Sequence, residues 1–126
     1  MSNSEPTEFD LWLSETFAET GGFTALILLV AIGPVSVTPL ASSYLHVIGD
    51  DFTWDAMRDL LDQGRKGWVG ASFHAVTNGK SGPMPDFMAK QALLDRAEAV
   101  RTDRMQLNEG GFFDRQGRAM RIDPVD

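Results

Sequence analysis

The side chains with the clearest capacity for chemistry are the chain's only two histidines. They are His46 and His74, and Asp50 follows the first of them by four residues. Two imidazoles and one carboxylate form a ligand set that suits iron or zinc. The sequence therefore permits a metal site of His46, Asp50 and His74, although no compact His-Glu-x-x-His motif supports it. The alternative is that both histidines are structural and that Asp50 is a turn residue.

A second set of polar residues with possible chemistry includes His74. Ser72 precedes it by two residues, so both side chains fall on the same side of a predicted strand. A hydroxyl beside an imidazole is what nucleophilic catalysis requires, but no Gly-x-Ser-x-Gly turn accompanies this pair. Glu109 could act as a general base or as a ligand. The candidate ligand-binding residues are thus His46, Ser72, His74 and Glu109, and we predict no catalytic residue and no cofactor.

Apolar side chains beside stiff or glycine-rich loops are the candidates for binding a partner. Met84 lies in a Gly-Pro-Met-Pro loop that Phe87 follows, and Phe112 follows two consecutive glycines. Exposed methionine and phenylalanine side chains bind apolar surfaces. We therefore predict that Met84, Phe87 and Phe112 contact a partner. The alternative is that Phe87 packs inward and that the glycines simply bend the chain.

Charge and composition exclude several classes of function. The net charge is −7, and no lysine or arginine precedes Arg58. Such an acidic protein repels phosphate backbones, so we do not expect it to bind nucleic acid. The chain has no cysteine, which excludes disulfides and thiolate metal sites and fits a bacterial or cytosolic setting. We expect a soluble, cytoplasmic protein.

Residues 20–49 carry no lysine, arginine, aspartate or glutamate, a composition that is compatible with a membrane element. Their densely apolar part, 23–32, is only ten residues long, whereas a spanning helix needs about 20. Gly33, Pro34 and Pro39 then interrupt it, and no basic residue flanks it. The segment is better interpreted as part of a protein core.

Helix signals are clearest in three places. We predict helices over 8–20, 54–64 and 87–102, and we expect Asp86 to cap the third. In that third helix the spacing places one set of side chains in the core and another in water. The first set is Ala89, Leu93, Ala97 and Val100, and the second is Lys90, Asp95, Arg96 and Glu98.

Strands are predicted over 23–32, 68–77, 111–114 and 118–122. The first is apolar at nearly every position, which suits a strand buried on both faces, although a short buried helix gives the same pattern. The last two flank a four-residue turn over 114–117. For 39–48 a helix and a strand compete. We favour the helix, because Thr38-Pro39 looks like a cap followed by a first helical proline.

These elements predict an α+β fold in one domain over 7–126, with a mobile segment over 1–6. Three or four helices would pack on one face of a small, mainly antiparallel sheet. The free edges of such a sheet often pair with another copy, so a homodimer is expected. The sequence favours a non-catalytic module that acts through a protein partner or its own dimer. The alternative is a small-molecule or metal-binding enzyme that uses His46, His74 and nearby acids.

Overall fold

A computed structural model of the chain describes residues 5–34, 36–49, 51–79 and 82–122. Within them, one four-stranded antiparallel sheet has the strand order β2-β1-β3-β4, with three α-helices and one short 3-10 helix around it. The α+β prediction is confirmed. In chain order the elements are α1 (Glu8–Thr20), β1 (Phe23–Ile32), β2 (Val37–Val47), α2 (Trp54–Gly64), β3 (Gly70–Val76), α3 (Asp86–Thr102), the 3-10 helix (Arg104–Asn108) and β4 (Gly111–Asp114).

The first strand, β1, is one of the two interior strands of the sheet and is buried on both faces, as its apolar pattern predicts. It pairs with β2 on one side and with β3 on the other. Because side chains alternate across a strand, Ile27 and Leu29 enter one apolar cluster while Leu28 and Val30 enter another. The sheet therefore has a core on each side.

The helices lie on both faces of the sheet, so the prediction that they cover one face is wrong. Phe9 of α1 and Met57 of α2 pack in the first cluster, whereas Val100 of α3 and Leu107 of the 3-10 helix pack in the second. The physical reason lies in β1, because a strand that is apolar on both faces needs cover on both. We call these two sides the α1/α2 face and the α3 face.

The predicted bounds of two α-helices, 8–20 and 54–64, are confirmed. Thr7 caps α1 through a reciprocal pair of bonds with Asp10, and Thr53 caps α2 by accepting from the Ala56 N–H. The predicted cap of the third helix is wrong. Pro85 occupies the cap position of α3 without a side-chain bond, and the Asp86 carboxylate binds His46 instead.

The helix favoured over 39–48 is also wrong, because β2 spans Val37–Val47. Pairing with β1 along its whole length satisfies the backbone groups on the inner side of this segment and outweighs the local Thr38-Pro39 signal. Proline is compatible with an edge strand, and the register shifts where Pro39 lies opposite Val30. In the described part of the chain, no helix has the length and apolarity to cross a bilayer.

The predicted turn over 114–117 is present, but the strand over 118–122 reduces to one bridge between Phe113 and Ala119. Asp114 Oδ1 accepts from the N–H groups of Gln116 and Arg118, and Gly117 has φ 78°. Beyond the bridge, Asn108 exchanges two hydrogen bonds with the Ile122 backbone, and these replace strand pairing. Residues 1–4 lie outside the described part, so the predicted mobility of 1–6 stays a prediction.

Candidate functional site

The two edges of the sheet differ in how they are covered. Along the outer edge of β4, the Asp114 N–H donates to the Arg118 carbonyl over 2.9 Å and the Met120 N–H donates to the Phe112 carbonyl over 2.7 Å. Among the described residues, no strand pairs with the outer edge of β2. That strand is eleven residues long and carries no acid, lysine or arginine. Its outward backbone groups are therefore available to another strand.

A groove opens beside β2 on the α1/α2 face. It has a volume of about 420 Å³ and is mostly apolar. Ala41 and Leu45 of β2 form one wall, and Leu60 and Leu61 of α2 form the other. Leu60 is 42% exposed, so part of the apolar surface of α2 has no cover here. The uncovered edge and this groove are adjacent features of one surface.

His46 lies on β2 and points to the α3 face, where both its ring nitrogens have partners. Thr24 Oγ1 is 2.9 Å from Nδ1, and Asp86 Oδ1 is 2.6 Å from Nε2. The hydrogen bond from His46 and its charge hold the pKa of the Asp86 carboxyl below the usual value. Thr24 Oγ1 also accepts from the Met84 N–H over 3.0 Å. The chain of bonds ties the loop before α3 to β1 and β2.

The hydroxyl–imidazole–carboxylate order of Thr24, His46 and Asp86 has the composition of a catalytic triad. A nucleophile must reach its substrate, however, and Thr24 is completely buried. Its oxygen also accepts the Met84 N–H bond, which places the protein backbone against it. The arrangement is therefore a structural clamp and not a nucleophilic site.

Three of the four predicted ligand-binding residues lie around one side chain, Arg96, on the α3 face. Arg96 Nη2 donates to Ser72 Oγ over 3.3 Å and to the Glu109 carbonyl over 3.1 Å. The Glu109 carboxylate lies 4.0 Å from Nη1. His74 is close enough for the Arg96 charge to lower its pKa. The fourth, His46, is not part of this cluster, because it is hydrogen-bonded to Thr24 and Asp86.

Arg96 was predicted to face water, and this is wrong because it is only 6% exposed. The helical spacing predicts a buried position, since Arg96 lies three residues after Leu93 and four before Val100, on the buried stripe. The charge of the side chain favours an exposed position, and the prediction followed the charge.

Burial governs the electrostatics of the Arg96 cluster. It is the largest effect on the pKa of His74 and lowers it; the Arg96 charge lowers it further and the Glu109 charge raises it. Burial also lowers the pKa of Arg96, with Glu109 acting in the opposite direction. Two buried polar atoms in this cluster, His74 Nδ1 and Arg96 Nε, have no hydrogen-bond partner.

The proposed metal ligands do not form a group within the described residues. No set of three or more His, Cys, Asp or Glu side chains there could hold a metal ion. β1 separates the two histidines, since Thr24 pairs with His46 and Leu26 with His74. The spacing of strands places their Cα atoms roughly 12 Å apart. Asp50 lies outside the described residues, so the metal site stays a prediction.

The predicted partner-binding residues occupy different environments. Phe87 is 75% exposed on the first turn of α3, and Met84 is half-buried in the loop before it. Phe112 is 3% exposed and packs in the cluster on the α3 face. Of the three, Phe87 presents the largest apolar surface to solvent. The β2 edge is a larger candidate surface, and it could not be predicted because the local sequence signals favour a helix there.

Comparison of the chain with protein-family models, with curated proteins and with solved structures gives no match.

Proposed function

We propose that this protein is a non-catalytic, self-associating module in which two copies pair through their β2 strands. The observation that carries the proposal is the long, uncovered edge of β2, which has no acid, lysine or arginine. Proteins usually protect such an edge with lysine, with proline, with a short strand or with a covering segment. Only Pro39 serves that purpose in β2, and it leaves residues 40–47 free to pair.

Symmetry makes a second copy a suitable occupant of this edge. An antiparallel pair of identical strands is self-complementary, so pairing of β2 with β2 closes a two-fold dimer and leaves no further edge of that kind. The result is one continuous eight-stranded sheet. β4 lies at both of its ends, where the segment over 118–120 already covers the edge.

Charge also favours β2 as the contact between copies. Each copy has a net charge of −7, so most pairs of surfaces repel each other. β2 has no acid, lysine or arginine to repel a second copy, and its small and apolar side chains, including Leu40 and Tyr44, can form cross-strand pairs.

The size of the contact sets the expected affinity. Stable interfaces bury about 1,600 Å² in total, and a single strand pair is smaller than that. The exposed Leu60 and the groove beside β2 supply additional apolar surface. We therefore expect a dimer whose population changes with protein concentration in the micromolar range.

The alternative function, an enzyme that uses His46 and His74 together, receives less support. Both nitrogens of His46 are engaged by Thr24 and Asp86, and β1 lies between the two histidines. A single bound molecule would have to displace the clamp to contact both rings.

Sedimentation equilibrium of the wild type and of two matched variants tests the proposal. Ser42→Lys adds a charge at the centre of β2, while Ser14→Lys adds the same charge at an exposed site on α1. We expect Ser42→Lys to weaken the dimer about tenfold or more. In the pair of β2 strands, the lysine of one copy would lie close to the lysine of the other, and like charges that face each other repel. Ser14→Lys should leave the dimer unchanged.

Two outcomes would contradict the proposal. One is a wild type that stays monomeric at every attainable concentration, in which case the edge is open to an extended segment of another protein. The other is an equal effect of Ser42→Lys and Ser14→Lys. Urea unfolding of both variants at low protein concentration controls for changes in the monomer itself.

A further inference from the structure

A second groove lies at the opposite edge of the sheet from β2, between α1 and the segment around β4. Its volume is about 300 Å³, which is at the lower end of the range for small-molecule sites. One wall is a single stripe of α1, because its residues follow the helical spacing i, i+3, i+4 and i+7. These residues are Glu8, Leu11, Trp12 and Glu15, and the other wall includes Phe113, Ala119 and Met120.

The centre of this stripe is apolar and aromatic. Leu11 is 52% exposed, so part of the apolar surface of α1 has no cover here. Trp12 is half-buried, and its ring is held against those of Phe73 and Phe113, with centroid distances of 5.9 and 6.0 Å. The groove therefore has a fixed aromatic wall, and such a wall packs against alkyl groups and attracts cations to the ring.

The two ends of the stripe are acidic. Among the described residues that line the groove, only Glu8 and Glu15 are charged, and both are exposed. Glu8 Oε1 accepts from the Ala119 N–H over 2.7 Å, which leaves its second oxygen for another donor. Glu15 forms no ion pair within the described part of the chain. The helical rise places the Cα atoms of the two glutamates about 10 Å apart along the axis.

From this arrangement we propose that the groove binds a linear diammonium ion, the doubly protonated form of a short-chain diamine. Its methylene chain lies against Leu11 and Trp12, and its two ammonium groups donate to Glu8 and Glu15. The net charge of −7 attracts such a cation to the protein. This site is separate from the dimer contact at β2 and goes beyond the proposed function.

The composition of the groove favours an organic dication over a metal ion. Divalent metal ions require several oxygen ligands around one point. Leu11 and Trp12 lie between the two glutamates, so apolar surface would surround an ion placed there. No group of three or more His, Cys, Asp or Glu side chains in the described ranges could hold a metal ion. Two ammonium groups joined by methylenes match both the acidic ends and the apolar centre.

The experiment follows the indole N–H signals of the wild type by ¹H–¹⁵N NMR during titration with cadaverine, a linear diamine. Sodium chloride keeps the ionic strength constant. We expect a saturable shift of the Trp12 signal. The signals of Trp54 and Trp68, which are buried outside the groove, should stay unchanged. Pentylamine, which has the same chain and one ammonium group, should bind about fivefold more weakly because it loses one exposed ion pair.

Two matched variants test the role of the carboxylate at one end. Glu15→Gln removes the charge from the groove and should weaken cadaverine binding about fivefold. In that variant cadaverine and pentylamine should bind with similar affinity, because only Glu8 remains to pair with an ammonium group. Glu19→Gln removes the same charge one turn later on α1, at an exposed site outside the groove, and should leave the affinity unchanged.

Three results would overturn the proposal. The first is a Trp12 shift that does not saturate, or that magnesium chloride reproduces at the same concentration. The second is equal affinity of the wild type for cadaverine and pentylamine, because the two carboxylates would then not act together. The third is equal weakening by Glu15→Gln and Glu19→Gln, because the effect would then depend on net charge and not on this groove.

Discussion

The two edge strands of the sheet, β4 and β2, differ in whether their outer backbone groups are hydrogen-bonded within the chain. β4 is four residues long, and the following turn folds back to bind its outer backbone groups. β2 is eleven residues long, and no described residue performs that task for it. An unpaired edge can pair with another chain, so covering one edge and leaving the other free directs association to a single place. This difference is the basis of our proposal that two copies pair through β2.

Local chemistry explains why the β4 edge is closed. Asp114 and Gly117 shape a tight turn, and Asn108 holds the backbone of Ile122 with two hydrogen bonds. Phe113 then packs among the aromatic rings of Phe9 and Trp54. Each of these contacts is specified by a particular side chain. Among the described residues, the comparable side-chain contacts of β2 are the hydrogen bonds of His46 with Thr24 and Asp86.

The largest expected effect is on the covered side of the sheet. Phe113 is 2% exposed and contacts several aromatic rings, so Phe113→Ala should lower the free energy of unfolding by about 3–5 kcal/mol. The matched control is Phe87→Ala, at a site that is 75% exposed, which should change it by less than about 0.5 kcal/mol. Urea denaturation measures both. Similar losses in the two variants would show that β4 is not packed as described.

A smaller effect is expected at the turn that covers β4. Burial raises the pKa of Asp114, but hydrogen bonds from Arg118 and Gln116 outweigh it and hold the pKa below the ordinary value of 3.8. A carboxyl with a depressed pKa in the folded state stabilises the protein above its unfolded pKa. That stability is lost as the pH falls through the folded value.

Asp114→Asn should therefore cost about 1 kcal/mol at pH 7, and the cost should shrink as the pH is lowered below about 4. Urea unfolding of wild type and variant between pH 7 and pH 2 measures the difference. A cost that stays constant over this range would mean that the charge of Asp114 contributes nothing to the turn.

The smallest effect is expected in the groove beside β2. Leu60→Ala should leave the stability of the monomer within about 0.5 kcal/mol of the wild type, because the side chain is 42% exposed. It should nevertheless weaken the dimer several-fold, since association covers this side chain. Leu11→Ala on α1, 52% exposed and outside that groove, is the control for sedimentation equilibrium. If both leucines have the same effect, the groove is not part of the contact.

Features fixed by near neighbours in the sequence could be predicted. Gly21 predicts the end of α1 and Thr53 predicts the start of α2, and the apolar run of β1 indicates a strand buried on both faces. The failures arose where distant contacts decide the outcome. β2 became a strand through pairing with β1, and the last predicted strand was limited to a bridge by the bonds of Asn108.

The candidate site was predicted in part for the same reason. Ser72 and His74 could be grouped because they are neighbours in one strand, whereas their approach to Glu109 depends on the left-handed Gly110 and on Arg96. A charged residue on a buried helical stripe is the pattern that would have revealed Arg96. The order of the strands could not be predicted, because it depends on pairing between segments that are distant in the sequence. The identity of the free edge strand therefore could not be predicted either.

The central claim, that two copies pair through β2, is tested most directly by NMR on a mixture of isotopically labelled and unlabelled protein. Filtered spectra detect contacts between copies only. We expect cross-strand Hα–Hα contacts between β2 residues of the two copies, within residues 40–47. A dimer whose contacts between copies lie elsewhere, for example around the exposed Phe87, would contradict it.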